Sequence, residues 1–215
     1  MIKAVVFDMD GVIVDSEIEY IKNVQKILKG HKLEVALEDL YYIGGGSAKH
    51  YNENIAKFLN VTPEVATAYH RQFNIDFPTD FRKLLRPEAV ALLDYLKAEG
   101  FPIALASSGA LERIQVKLDQ CELHGYFDHI VSGTQFPKTK PDPQIFLHTA
   151  ELLKVKPEEC MVIEDSEMGI TGGYNAGMCV VALYDPRFKF NTSKATYVVN
   201  NLAEIKPLLI ELNKK

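Results

Sequence analysis

The sequence predicts a doubly wound, Rossmann-like α/β core on a parallel sheet, with a small all-helical unit inserted directly after the first strand. Three observations predict it. Short apolar, β-branched runs recur along the chain, the pattern of strands buried on both faces of a parallel sheet. From about residue 81 onward these runs alternate with stretches of helical spacing, as βαβ winding requires. Residues 16–80 carry helical stretches and no convincing strand, which marks them as an insert in a core formed by 1–15 and 81–215.

The elements follow in order. Residues 2–7 form the first strand, apolar apart from Lys3. Residues 16–30 read as a helix that Ser16 can cap and Gly30 can end. Helical stretches follow at 37–42, 47–59 and 63–73, and the exit runs through Phe77, Pro78 and Thr79, where proline and a polar residue mark a boundary. Residues 87–99 have proline in the first turn and Gly100 as a stop. FPIALA (101–106) is the next strand, 111–118 a helix, and 129–131 a weaker strand. Residues 143–153 read as a helix; CMVI (160–163) and MCVVAL (178–183) read as strands.

Composition bounds the partners. The 215 residues, 47% hydrophobic and 25% charged, suit a soluble globular chain with one large domain or a core and a smaller companion. A net charge of -5 repels polyanions, so neither nucleic acid nor a membrane surface is an expected partner, while a local basic pocket for a small anion stays compatible. Cys121, Cys160 and Cys179 are too dispersed for a disulfide framework or a zinc motif and read as free thiols of a reducing compartment. The opening MIKAVVFD meets an acid too early for a signal peptide, and no run approaches membrane-spanning length. A cytoplasmic monomer is the expectation.

Two acid pairs fall at strand ends. Asp8 and Asp10 follow the first strand, and Glu164 and Asp165 follow CMVI. Ligands of parallel α/β sheets bind beyond the carboxyl ends of the strands, so these acids converge on one rim if the strands are neighbours. Clustered carboxylates repel one another, and a hard divalent cation such as Mg²⁺ is the simplest compensation. An EF-hand is excluded, because Gly11 stands at the fourth position of the motif and a strand precedes it. A lone aspartate here would merely cap a turn; two clusters at equivalent strand ends ask for more. FPIALA leads into Ser107, Ser108 and Gly109, a hydroxyl and turn amides suited to an anion, although Ser107 alone could be a helix cap. Lys140, in KTKPDPQIF, is either a solvated charge or the cation that balances phosphate and acids on that rim.

In this order, Asp8-Met9-Asp10-Gly11, a strand ending in Ser107, Lys140 before Pro-Asp-Pro, and Glu164-Asp165 resemble the motifs of the haloacid dehalogenase superfamily of phosphotransferases over essentially the whole chain. The helical insert is similar to the cap of the subgroup that includes β-phosphoglucomutase and many small sugar-phosphate phosphatases. The resemblance implies that Asp8 is a nucleophile forming an aspartyl phosphate and that Asp10 is the acid and then the base. It implies that Mg²⁺ is held by Asp8, Asp165 and the Asp10 carbonyl, with Glu164 acting behind them, and that Ser107 and Lys140 hold phosphate oxygens.

Function divides on the insert. YYIGGGSAKHY reads either as a plain flexible loop or as a specificity loop, in which Gly44, Gly45 and Gly46 let backbone approach a ligand beside Lys49 and His50. A mutase of this kind carries a cap histidine shortly after the first motif and a cap arginine in this loop. Here SEIEYIKN has no histidine and the loop offers Lys49 only, so a phosphatase acting on a small phosphorylated metabolite is expected over a mutase. A haloacid dehalogenase has no use for Asp10, and a non-catalytic binding module would be expected to lack Asp8, Asp10 or Lys140.

Overall fold

A computed structural model describes residues 1–46 and 48–214. Its six strands form one fully parallel sheet: β1 (Ala4–Phe7), β2 (Ile103–Ser107), β3 (His129–Ser132), β4 (Cys160–Glu164), β5 (Cys179–Leu183) and β6 (Tyr197–Val199). Their order is β3-β2-β1-β4-β5-β6. β1 lies between β2 and β4, with Phe7 level with Leu105 on one side and Ile163 on the other. The winding reverses there, which opens a crevice beyond the strand ends.

Alternation along the strands feeds two cores. Val5, Phe7, Ile103, Leu105, Met161 and Ile163 face a layer with Leu92, Leu93 and Leu96 of α4 (Pro87–Ala98) and Ile114 and Leu118 of α5 (Leu111–Cys121). Ala4, Val6, Ala104, Ala106, Val162 and Val180 face the other layer, with Phe146 of α6 (Gln144–Leu152) and Ile170 of α7 (Glu167–Asn175). Small side chains on this second face let α7 come close. A Cβ on Gly173 would lie 2.7 Å from Val162 Cγ1 and 3.0 Å from Val180 Cγ2.

The inserted unit has its own core. Ile21, Val24, Ile27 and Leu28 of α1 (Glu17–Gly30) pack on Tyr51, Ile55 and Ala56 of α2 (Ala48–Leu59) and on Ala66 of α3 (Pro63–Asp76). The chain enters through Asp15, whose N–H donates at 2.8 Å to Leu84 O, at the end of the 3₁₀ turn Phe81–Leu84 by which the chain returns. Arg86 and Arg187 both pair with Asp15 Oδ1, at 3.2 and 2.7 Å.

Several boundaries differ from the sequence expectation. Gly30 is the last residue of α1 rather than its stop, and Lys32 takes the positive φ of 64°. Ser16 precedes α1 but makes no capping bond, because its hydroxyl is used elsewhere. The stretch expected over 37–42 is a 3₁₀ helix, Glu38–Ile43. The helix expected from Ser47 begins at Ala48; Ser47, like Lys215, lies outside the described residues. The short edge strand β6 and the helix α8 (Ile205–Asn213) were not anticipated. A capping pair precedes α8: Asn201 Oδ1 accepts from Ala203 N and Glu204 Oε1 from Asn201 N. Among the described residues no helix is long and apolar enough to cross a membrane, and all three cysteines are free.

Gly173→Ala sets a helix-propensity gain of about 0.5–1 kcal/mol against an overpacking cost of about 1–3 kcal/mol. Its new methyl would meet branched strand side chains that have no room to yield. The expected outcome is net destabilisation of about 1–2 kcal/mol, read as a lower urea midpoint. A raised midpoint contradicts the packing described.

Candidate active site

Three neighbouring strands deliver the site. Asp8 follows β1 directly, β2 ends at Ser107, and β4 ends at Glu164 with Asp165 following. Lys140 arrives from the segment between β3 and α6. Its ammonium donates to Asp8 Oδ1 at 2.6 Å, to Glu164 Oε1 at 2.6 Å and to Ala106 O at 2.9 Å. Three protons meet three acceptors, so the group is fixed in direction as well as place. The Phe146 ring lies beneath it, its centroid 5.0 Å away. Burial alone would lower the Lys140 pKa, but Asp8 and Glu164 outweigh it and keep the ammonium charged.

Glu164 is committed to the protein through both oxygens. Oε1 takes Lys140, while Oε2 accepts from Ser166 Oγ at 3.1 Å and from the Asp165 and Ser166 amides at 3.2 and 3.3 Å. It lies so close to α7 that a Cβ on Gly169 would fall 1.9 Å from Oε1. Asp8, Glu164 and Asp165 nonetheless hold oxygens within 4.8 Å of one another, all buried. Burial pushes Asp8 up to about 7, even against the pull of Lys140. Burial, and then the charge of Glu164, raise Asp165 well above the usual carboxylate range. One lysine among three buried acids leaves negative charge uncompensated, and an all-oxygen set of this kind fits a hard divalent cation. Gly11 makes the convergence possible: with φ of +79°, any Cβ it carried would sit 1.8 Å from Asp165 Oδ2.

Asp10 turns its side chain away from this cluster. Lys117 Nζ contacts both of its oxygens, at 2.6 Å on Oδ1, while Ser16 Oγ and Tyr20 Oη donate to Oδ1, the latter at 3.0 Å. Burial opposes the Asp10 charge, yet Lys117, Ser16 and Tyr20 together hold its carboxyl below the ordinary value. Burial likewise opposes the Lys117 charge, and Asp10 more than restores it. Lys117 is buried on the core helix α5, whereas Ser16 and Tyr20 belong to the start of the inserted unit. Sequence reading missed Lys117. Its signal was present: position 117 falls on the stripe of Ile114, Leu118 and Cys121, where a lysine has no solvent to reach.

The remaining expected residues divide. Ser107 is buried and accepts from Gly109 N at 3.2 Å; it is not the cap of α5, which starts at Leu111 with Ala110 before it. Ser108 and Gly109 are half-buried in the same turn, braced by Ser132 Oγ donating to Gly109 O at 2.6 Å. Gly45, with φ of +70°, donates its N–H to Glu17 Oε2 at 2.6 Å, so the glycine loop does reach the site side of the insert. Gly46 lies against the His50 ring. Lys49 is not brought to the site: its side chain is 84% exposed and faces Glu53 at 3.9 Å. Glu17 was also missed. It is buried, accepts from Tyr51 Oη at 2.7 Å, and is pushed up to about 7 by burial and then by the Asp10 charge.

The family model described as "haloacid dehalogenase-like hydrolase" matches residues 2–177. A Drosophila melanogaster protein named "Probable pseudouridine-5'-phosphatase" is 35% identical over 213 residues, covering 94% of this chain and 90% of that one. The β-phosphoglucomutase of Bacillus subtilis is 34% identical over 205 residues, covering 84% and 83%. A solved haloacid dehalogenase family hydrolase from Deinococcus radiodurans R1, with bound phosphate and sodium, is similar with a TM-score of 0.80 at 27% identity, covering 98% of this chain and 96% of that chain. The family model spans residues 2–177, most of the chain, and on that match the chain belongs to the haloacid dehalogenase-like hydrolases.

Proposed function

We propose that the protein is a Mg²⁺-dependent phosphatase that hydrolyses a small phosphomonoester, a sugar phosphate or similar metabolite, through an aspartyl phosphate on Asp8. The observation that supports it is the Lys140 ammonium bound to both Asp8 and Glu164, which orients Asp8 toward the crevice and leaves an acid group suited to a metal. In the first step an Asp8 oxygen attacks phosphorus and the ester oxygen departs, taking a proton from Asp10. In the second, water gives a proton to Asp10 as it attacks the same phosphorus, and Asp8 is released. The Lys117 contact favours the ionised form of Asp10, the one the second step needs. Ser107, the amides of its turn and Lys140 hold the phosphate oxygens as charge moves between them. Mg²⁺ held by Asp8, Asp165 and the Asp10 carbonyl, with Glu164 behind them, would neutralise acids and phosphate together.

Hydrolysis is favoured over the mutase alternative, which the name of the Bacillus subtilis relative keeps in view. Tyr20 of the insert lies on Asp10, and the one basic side chain expected from the glycine loop, Lys49, points to solvent. The insert therefore shows little to hold a second phosphate, which a bisphosphate intermediate requires. A non-catalytic binding module has no need for the arrangement around Asp8 and Asp10.

Asp8→Asn keeps the Lys140 contact and the fold but removes the nucleophile. Phosphate release from an aryl phosphate in Mg²⁺ is expected to drop to background, and near-normal release would refute the assignment. Lys117→Met is expected to lower kcat at least about tenfold, with KM changed much less, since the lysine holds the proton-transfer group. An equal change in both parameters would contradict that role.

A further inference from the structure

We propose that Phe188 is a positioning residue for the phosphatase reaction: its ring fills the notch left by Gly44 and so holds the inserted unit seated on the core, in the form that binds phosphate. The inference rests on the phosphatase reading above and gives part of that activity to a core segment outside the acid cluster.

Phe188 follows β5, in the core segment that leads to β6. It nevertheless packs against the apolar cluster of the insert. Its ring meets Tyr41 edge-on, with centroids 5.9 Å apart, and stacks on Phe190 at 5.5 Å and 13°. The Arg187 guanidinium lies 5.4 Å from its centroid. That guanidinium is itself anchored: it donates to both oxygens of Asp185 at 2.9 Å and to Asp15 Oδ1 at 2.7 Å, at the entry to the insert. The ring therefore stands on a braced turn.

The glycine loop is shaped to this pair of rings. A Cβ on Gly44 would lie 2.9 Å from Phe188 Cδ1 and 3.1 Å from Cε1, and one on Gly45 would lie 2.8 Å from Phe190 Cζ. Gly45, with φ of +70°, favours glycine for its backbone alone. Gly44 does not: its φ of -62° and ψ of 160° are open to any residue. What excludes a side chain there is chiefly the Phe188 ring, with the Tyr41 carbonyl next at 3.3 Å. Gly44 thus marks a close approach of the insert to the core.

A short path joins this seat to the acids. Gly45 donates to Glu17 at 2.6 Å, and Glu17 follows Ser16, whose hydroxyl meets Asp10. Arg187 holds Asp15, on the other side of Ser16. The segment that carries Phe188 therefore grips the start of α1 from two sides, and Ser16 and Tyr20 lie over Asp10. Without the ring the insert is free to lift. Only the fraction of molecules still seated then binds phosphate well, and apparent affinity falls with that fraction. Saturating substrate draws the insert back, so turnover changes less.

The test compares Phe188→Ala, Gly44→Ala and the double variant with wild type in Mg²⁺. The readouts are KM and kcat for an aryl phosphate and the inhibition constant of inorganic phosphate. Each single variant is expected to raise KM and the inhibition constant together by at least about fivefold, with kcat held within about twofold. One variant removes the ring and the other pushes it away with a methyl. The double variant is therefore expected to stay within about twofold of Phe188→Ala. Hydrogen exchange of residues 41–46 is expected to quicken in all three while β1 and β4 keep wild-type protection. Unchanged KM and inhibition constant, a loss confined to kcat, penalties that multiply in the double variant, or unchanged exchange of 41–46 overturns the inference and leaves the phosphatase reading standing. A wild type that releases no phosphate from the aryl ester in Mg²⁺ overturns that reading and the inference with it.

Discussion

One ammonium group organises this molecule. Lys140 Nζ meets a carboxylate 132 residues earlier in the chain, a carbonyl 34 residues earlier and a carboxylate 24 residues later. Burying a lysine costs several kcal/mol unless its protons and charge are matched, and burying Asp8, Glu164 and Asp165 together is equally unfavourable unless a cation stands among them. Each side answers the cost of the other. The same contact ties the ends of β1, β2 and β4, so the sheet order and the chemistry depend on one set of hydrogen bonds. Gly169 follows from it, since a Cβ there would fall inside the Glu164 carboxylate the lysine binds, and Gly11 leaves the same room for the neighbouring Asp165.

A second ion pair, Lys117 with Asp10, lies within the core, and the inserted unit reaches it through Ser16 and Tyr20. Lys117 comes from α5, and Asp10 from the loop after β1, while Ser16 and Tyr20 close over Asp10 from the beginning of α1. Arg86 and Arg187 hold Asp15 within the core, and Glu17 holds Gly45 within the insert; across the junction Tyr20 packs on the main core and Phe188 on the core of the insert. An edge-on approach of Tyr41 and Phe188, with ring centroids 5.9 Å apart, adds an aromatic contact.

The core was legible because its strands are buried on both faces and so read as apolar runs, and because its acids stop those runs at a common level. The runs at β1, β2, β4 and β5 and the acids Asp8, Asp10, Glu164 and Asp165 show this directly. β6 was not legible: three residues at a sheet edge, one of them exposed, carry no periodic signal. α8 carries a proline in its first turn and was passed over, although Asn201 and Glu204 announce it. Within the site, the difficulty was side-chain direction. Glu17 is a charged residue on a helix, where solvent exposure is the default, and tertiary packing turns it inward, whereas Lys117 was marked by its place on the apolar stripe of α5. Lys49 erred the other way: the glycine loop does approach the site, but through the backbone of Gly45, and the lysine beside it points out.

The decisive measurement is the location of Mn²⁺ in crystals of the protein, found by its anomalous scattering. Convergence of the buried acids around Lys140 predicts one strongly bound ion within about 2.2 Å of oxygens from both Asp8 and Asp165, with Lys140 still bridging Asp8 and Glu164. An ion bound elsewhere, or Asp8 and Asp165 facing apart with no metal between them, would contradict it.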